Sequence, residues 1–161
     1  MKKILAGLSL GILLLTAAPA SAQTGGNLSQ WTVADMTAAL RAVGATVNSS
    51  GADDDGNPMI EATAANGLRF TVFGMACDRT GPAARRACKG AEFSAIYNMR
   101  SASAVNSALE EIDYAAVSYF RDGTNLRITR YVIFDYGISR DNLGVNLRVF
   151  INIAKEIGGK I

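Results

Sequence analysis

The sequence predicts an α+β domain: an antiparallel sheet of about five to six strands with helices packed on one face, in the order α-β-β-β-β-α-β-β-α. Three observations carry this. Apolar residues recur at helical spacing in three separate stretches, period-two runs of strand-forming residues fill the intervals, and Asp-Gly and Asn-Gly steps stand where those runs meet.

Thr32 to Val43 is the first helix, with Val33, Met36, Leu40 and Val43 on one face and Gly44 placed to end it. Thr32 and Asp35 have the spacing of a capping box, and Trp31 is placed to pack on Met36 as a hydrophobic staple. That gives the lone tryptophan a structural reading, against the alternative that it stacks on a ligand. A strand follows around Ala45 to Ser49, then the turn Asp53-Asp54-Asp55-Gly56-Asn57 and a strand from Met59 to Thr63. The aspartates invite a calcium reading, but an EF-hand loop needs an oxygen ligand two residues before Asp53 and a Glu six after Gly56, where Gly51 and Ala62 stand. A solvated turn remains.

Asn66-Gly67 turns the chain into Leu68 to Ala76, where Leu68, Phe70 and Val72 alternate with Arg69, Thr71 and Phe73. In the next strand Phe93, Ala95, Tyr97 and Met99 alternate with Glu92, Ser94, Ile96 and Asn98. Ser103 to Tyr114 is the second helix, with Val105, Leu109 and Ile112 in register. Ala116 to Arg121, the turn Asp122-Gly123-Thr124-Asn125 and Leu126 to Phe134 make a further hairpin. The last helix runs from about Arg140 to Ile157 with a broad apolar stripe, and Gly158-Gly159 is placed to end it.

The start of the chain predicts its compartment. Lys2 and Lys3 precede an apolar run from Ile4 to about Ala18, and Ala20-Ser21-Ala22 supplies small residues for cleavage. Residues 1–22 read as a signal peptide, residues 23–30 as a flexible lead-in and residues 31–161 as one domain, in a soluble periplasmic or secreted product that is not an integral membrane protein. Loss of Lys2 and Lys3 takes the basic count from 16 to 14, equal to the 14 acidic residues, so the net charge falls to zero. That balance argues against a nucleic-acid binder, and charge-based recognition would have to be local.

The stretch CDRTGPAARRAC holds both cysteines, Cys77 and Cys88. In an exported chain a single pair is most simply a disulfide, here clamping the base of a long hairpin loop that turns at Gly81-Pro82. Redox chemistry favours Cys-x-x-Cys, and a metal site wants four ligands in a chain that has no histidine. No metal or cofactor is expected. The lack of histidine also removes the usual general base. Glu110 and Glu111 diverge by about 100 degrees around a helix, and neither a phosphate loop nor Gly-x-Ser-x-Gly occurs, so an enzyme is the least favoured class.

Two features read as candidate binding groups. The cysteine loop contains Arg79, Arg85, Arg86 and, just beyond it, Lys89, against the single acid Asp78, and these could hold an anionic lipid, polymer or protein surface; the plainer reading is a solvated loop. Arg130 falls by alternation on the same face as Leu126, Ile128, Val132 and Phe134. It would snorkel at the sheet edge, pair with an acid beneath a helix or line a groove, with structural pairing preferred.

The order of elements resembles the YbjN-type family, described as bacterial sensory-transduction regulators, whose fold is similar to that of type III secretion chaperones. The resemblance rests on VADMTAALRAVGATV, IEATAANGLRFTVFGMAC, CKGAEFSAIYNM, AAVSYFRDGTNLRITRYVIFDYGIS and RDNLGVNLRVFINIAKEIG, from about Trp31 to Gly158. It implies a chaperone-like α+β domain that binds or regulates, with no catalytic residues to carry over and with homodimer formation open. The leading expectation is therefore a non-enzymatic module that binds an envelope protein or peptide through a sheet face or the cysteine loop. The alternative is an anionic envelope-surface binder acting through the basic loop.

Overall fold

The computed structural model describes residues 26–110 and 117–159. The expected signal peptide, the end of the expected second helix and the first residue of the strand after it lie outside the described residues.

The capping residues set the start of helix α1 (Val33–Ala42). Thr32 Oγ1 accepts the Asp35 N–H at 3.4 Å, while Asp35 Oδ2 accepts the Thr32 N–H at 3.1 Å and its hydroxyl at 2.8 Å. The box ties up N–H groups that the first turn leaves without helical partners. At the other end Ala45 N–H reaches Leu40 O at 2.9 Å and Gly44 N–H reaches Arg41 O at 3.0 Å, a Schellman closure that requires the left-handed φ of +80° at Gly44.

Trp31 is fully buried, and its indole N–H donates to Gly90 O at 2.8 Å. Its backbone forms both hydrogen bonds of a bridge to Cys88, each 2.9 Å. The tryptophan thus anchors the start of α1 to the sheet, in line with its structural reading.

The main sheet is antiparallel throughout and contains β2 (Thr46–Ala52), β3 (Pro58–Thr63), β4 (Arg69–Cys77), β5 (Cys88–Asn98), β6 (Ser118–Asp122) and β7 (Asn125–Ile133). Its spatial order is β2-β3-β4-β5-β7-β6. Helix α2 (Ala102–Glu110) lies between β5 and β6 in the chain, and β7 returns beside β5, which leaves β6 outermost. A second, two-stranded sheet pairs β1 (Asn27–Leu28) with β8 (Ile138–Ser139). Asn27 and Leu28, within the expected lead-in, are therefore part of a strand. Helix α3 (Arg140–Gly159) follows, and the two glycines expected to end it are its last two residues.

One sheet face meets the helices. Ile60, Ala62, Phe70, Val72, Ala91, Phe93, Ala95, Ile128 and Val132 are buried on it. Met36 and Leu40 of α1, Val105 of α2 and Leu143, Leu147, Phe150, Ile151, Ala154 and Ile157 of α3 belong to the same core. Phe150 packs between Phe70 and Phe93, with ring centroids 5.7 and 5.8 Å away. At the end of α3, Tyr97 donates its hydroxyl to Ala154 O at 2.5 Å, and a Cβ at Gly158 would come within 2.6 Å of the Tyr97 ring. Asp35 Oδ1 also meets Arg140 Nη2 at 3.1 Å, joining the starts of α1 and α3.

Candidate functional site

The cysteine loop is closed as expected. Cys77 and Cys88 are disulfide-bonded and directly opposed in the ladder between β4 and β5. The bridge lies over Gly74, where a Cβ would stand 2.8 Å from each sulfur. Only a residue without a side chain fits beneath it.

Within the loop a single 3₁₀ turn (Ala83–Arg85) precedes Arg86, whose Nη1 donates to Gly56 O at 2.6 Å and whose Nε donates to Gly81 O at 3.0 Å. Arg86 therefore staples the loop to the turn between β2 and β3. That turn is itself held by Asp53, whose Oδ1 accepts the N–H groups of Asp55 and Asn57 at 3.0 and 2.7 Å. Lys89 lies 4.0 Å from Asp135, with both side chains largely in solvent. Arg79 and Arg85 are exposed and have no ion pair among the described residues. The four basic residues thus split into one structural tie, one loose ion pair and two solvated cations.

Arg130 lies on the helix-covered face, half-buried, with Nε and Nη2 donating to Asn146 Oδ1 of α3 at 2.9 and 2.6 Å. Asn146 Nδ2 in turn donates to Asn142 O and Oδ1 at 2.9 and 2.7 Å. Asn146 is an amide on a helix, and its bonds to Arg130 link sheet and helix.

Among the described residues, none of the helices α1, α2 and α3 lies on the opposite face of the sheet. Its middle row crosses every strand: Ser49, Glu61, Thr71, Ser94, Thr129 and Ser118 stand opposite one another in register. Side chains flanking this polar row are large and apolar. Ile96 is 67% exposed, Phe120 and Ile133 are each 61% exposed and Tyr131 is 49% exposed, with Phe73 and Met75 half-buried beside them. An open sheet face normally alternates polar residues outward, so four such residues together need a reason.

Arg127 joins the rows. Its Nε donates to Ser94 Oγ at 2.8 Å, its Nη2 pairs with Glu92, and its guanidinium lies 5.6 Å from the Phe73 ring centroid. This network holds an arginine over an aromatic ring on the exposed face, a composition enriched where proteins meet. Beside it a depression of about 200 Å³ lies over Thr71 and Ser94, between Phe73 and Ile96, with Glu61 and Arg69 also lining it. Small-molecule sites usually occupy about 300–1,000 Å³, so this depression suits one inserted side chain better than a whole ligand.

The sequence held a signal for this face. Ile96, Tyr131 and Ile133 are apolar residues at outward positions of alternating strands. Comparison of the chain with protein-family models, curated proteins and solved structures gives no match. Among the described residues no helix is long and apolar enough to cross a membrane.

Proposed function

We propose that this chain is an exported, non-enzymatic binding or regulatory module of the YbjN type that holds a protein or peptide partner on the helix-free face of its sheet. The observation that carries the reading is the grouping of exposed Ile96, Phe120, Tyr131 and Ile133 around the Arg127–Glu92 pair. Burying such anchors is the main source of affinity in protein interfaces. Export is supported by the leader-like residues 1–22 and by a disulfide, which persists in oxidising compartments.

The anionic-surface reading rests on fewer groups, because Arg86 is committed to backbone carbonyls and Arg79 and Arg85 are the solvated remainder. A photo-crosslinking amino acid placed in turn at positions 96, 131 and 133, at 79 and 85, and at the α3 surface residue Lys155 separates the readings in intact cells. A discrete adduct at 96, 131 or 133, absent at 155, is the expected result. Adducts confined to 79 or 85 would transfer the function to the loop. Adducts at none of these positions would overturn both.

A further inference from the structure

Among the described residues the main sheet ends in two edge strands, β2 and β6, and an edge strand presents a row of backbone N–H and C=O groups for pairing. The two edges are built differently. β2 breaks register between Val47 and Ser49, contains Gly51 and has the disulfide loop packed against it. Bulges and covering loops are common means of preventing edge-to-edge pairing. β6 has neither. It pairs with β7 in unbroken register from Ser118 opposite Thr129 to Asp122 opposite Asn125, it lacks Pro and Gly, and all five of its residues are exposed.

We propose that two copies of this chain join edge to edge through β6, antiparallel and centred on Phe120, so that their main sheets become one. The sequence Ser-Tyr-Phe-Arg-Asp is self-complementary in that register. A two-fold axis through Phe120 sets the two Phe120 rings opposite each other, Tyr119 opposite Arg121 of the second copy, and Ser118 opposite Asp122 of the second copy. These are an aromatic pair, a cation over a ring and a hydroxyl with a carboxylate, and no like charges meet. Centring on Arg121 would oppose two guanidinium groups, and centring on Tyr119 would leave Asp122 without an opposite residue in the strand.

The isologous contact closes on itself, so it produces a dimer and not a fibre. Because the axis is perpendicular to the sheet, both helix-free faces lie on the same side. Phe120 stands in one row with Arg127 and Ile96, so the two apolar faces become continuous across the junction. The dimer does not depend on the partner reading.

Sedimentation equilibrium of the purified exported protein tests it, alongside two variants whose fold is checked by circular dichroism. Phe120→Lys puts two ammonium groups face to face and is expected to raise the dimer dissociation constant at least roughly tenfold. Ser118→Lys, set opposite Asp122, is expected to lower it. A monomer at every concentration, or a dimer that neither variant moves, would overturn the proposal.

Discussion

Asp35 is where a single ionisation reaches the stability of the fold. Burial acts to raise its pKa, but the hydrogen bonds from the Thr32 hydroxyl and N–H, together with Arg140, outweigh it and hold the carboxyl below 3.8. Its contribution is complete above the unfolded carboxylate range and is lost as pH falls through the lower folded value. Asp35→Asn should therefore cost about 1 kcal/mol near neutral pH, and the gap to wild type should narrow below about pH 4 in thermal melts. Tyr97 titrates in the opposite sense. Burial pushes its phenol up from 10.0 to about 12, so the folded state keeps the proton longer and stability is lost as pH rises through that window. Tyr97→Phe removes the bond to Ala154 O and should cost roughly 0.5–1.5 kcal/mol at neutral pH, with the difference shrinking in alkaline melts. At this scale the capping box was legible because Thr32 and Asp35 are three residues apart. The partner of Arg130 was not, since Asn146 belongs to a helix that only the fold brings over β7.

Elements closed by local turns were read well for the same reason. Period-two alternation and the Asp-Gly and Asn-Gly steps define β3, β4, β6 and β7 without reference to distant contacts. The placement of β7 between β5 and β6 was not legible, because it depends on how the chain crosses after α2, and the tie from Arg86 to Gly56 spans 30 residues. The disulfide belongs to this scale. It joins two residues already opposed in the ladder, and Cys88 is further held by the backbone bridge to Trp31. Its removal should lower stability without dissolving the sheet. Replacing both cysteines by Ser should cost about 3 kcal/mol in the loop-entropy model and lower the melting temperature by roughly 10 °C, with far-ultraviolet circular dichroism retained. An unchanged melting temperature would show that the loop is held by Arg86 and the ladder alone.

For the whole molecule, the asymmetry of the sheet is the main functional fact. Both long helices, α1 and α3, bury one face, and among the described residues the other keeps large apolar side chains substantially exposed. This separates stability from binding. Ile133 is substantially exposed in the folded chain and stands opposite Gly90, so Ile133→Glu removes little buried area and should change stability by no more than about 0.5 kcal/mol, whereas Tyr131→Glu would set a second carboxylate opposite Glu92. A protein or peptide seated on that face would instead have to bury a carboxylate without a partner, a loss of roughly 2–5 kcal/mol and therefore of more than tenfold in affinity. The Ile133→Glu variant should melt with the wild type and yet lose the crosslinked adduct formed from position 96, which the substitution leaves chemically intact. Retention of that adduct at full yield would place the partner away from Ile133, while a large fall in melting temperature would mean that the face is part of the fold's own packing.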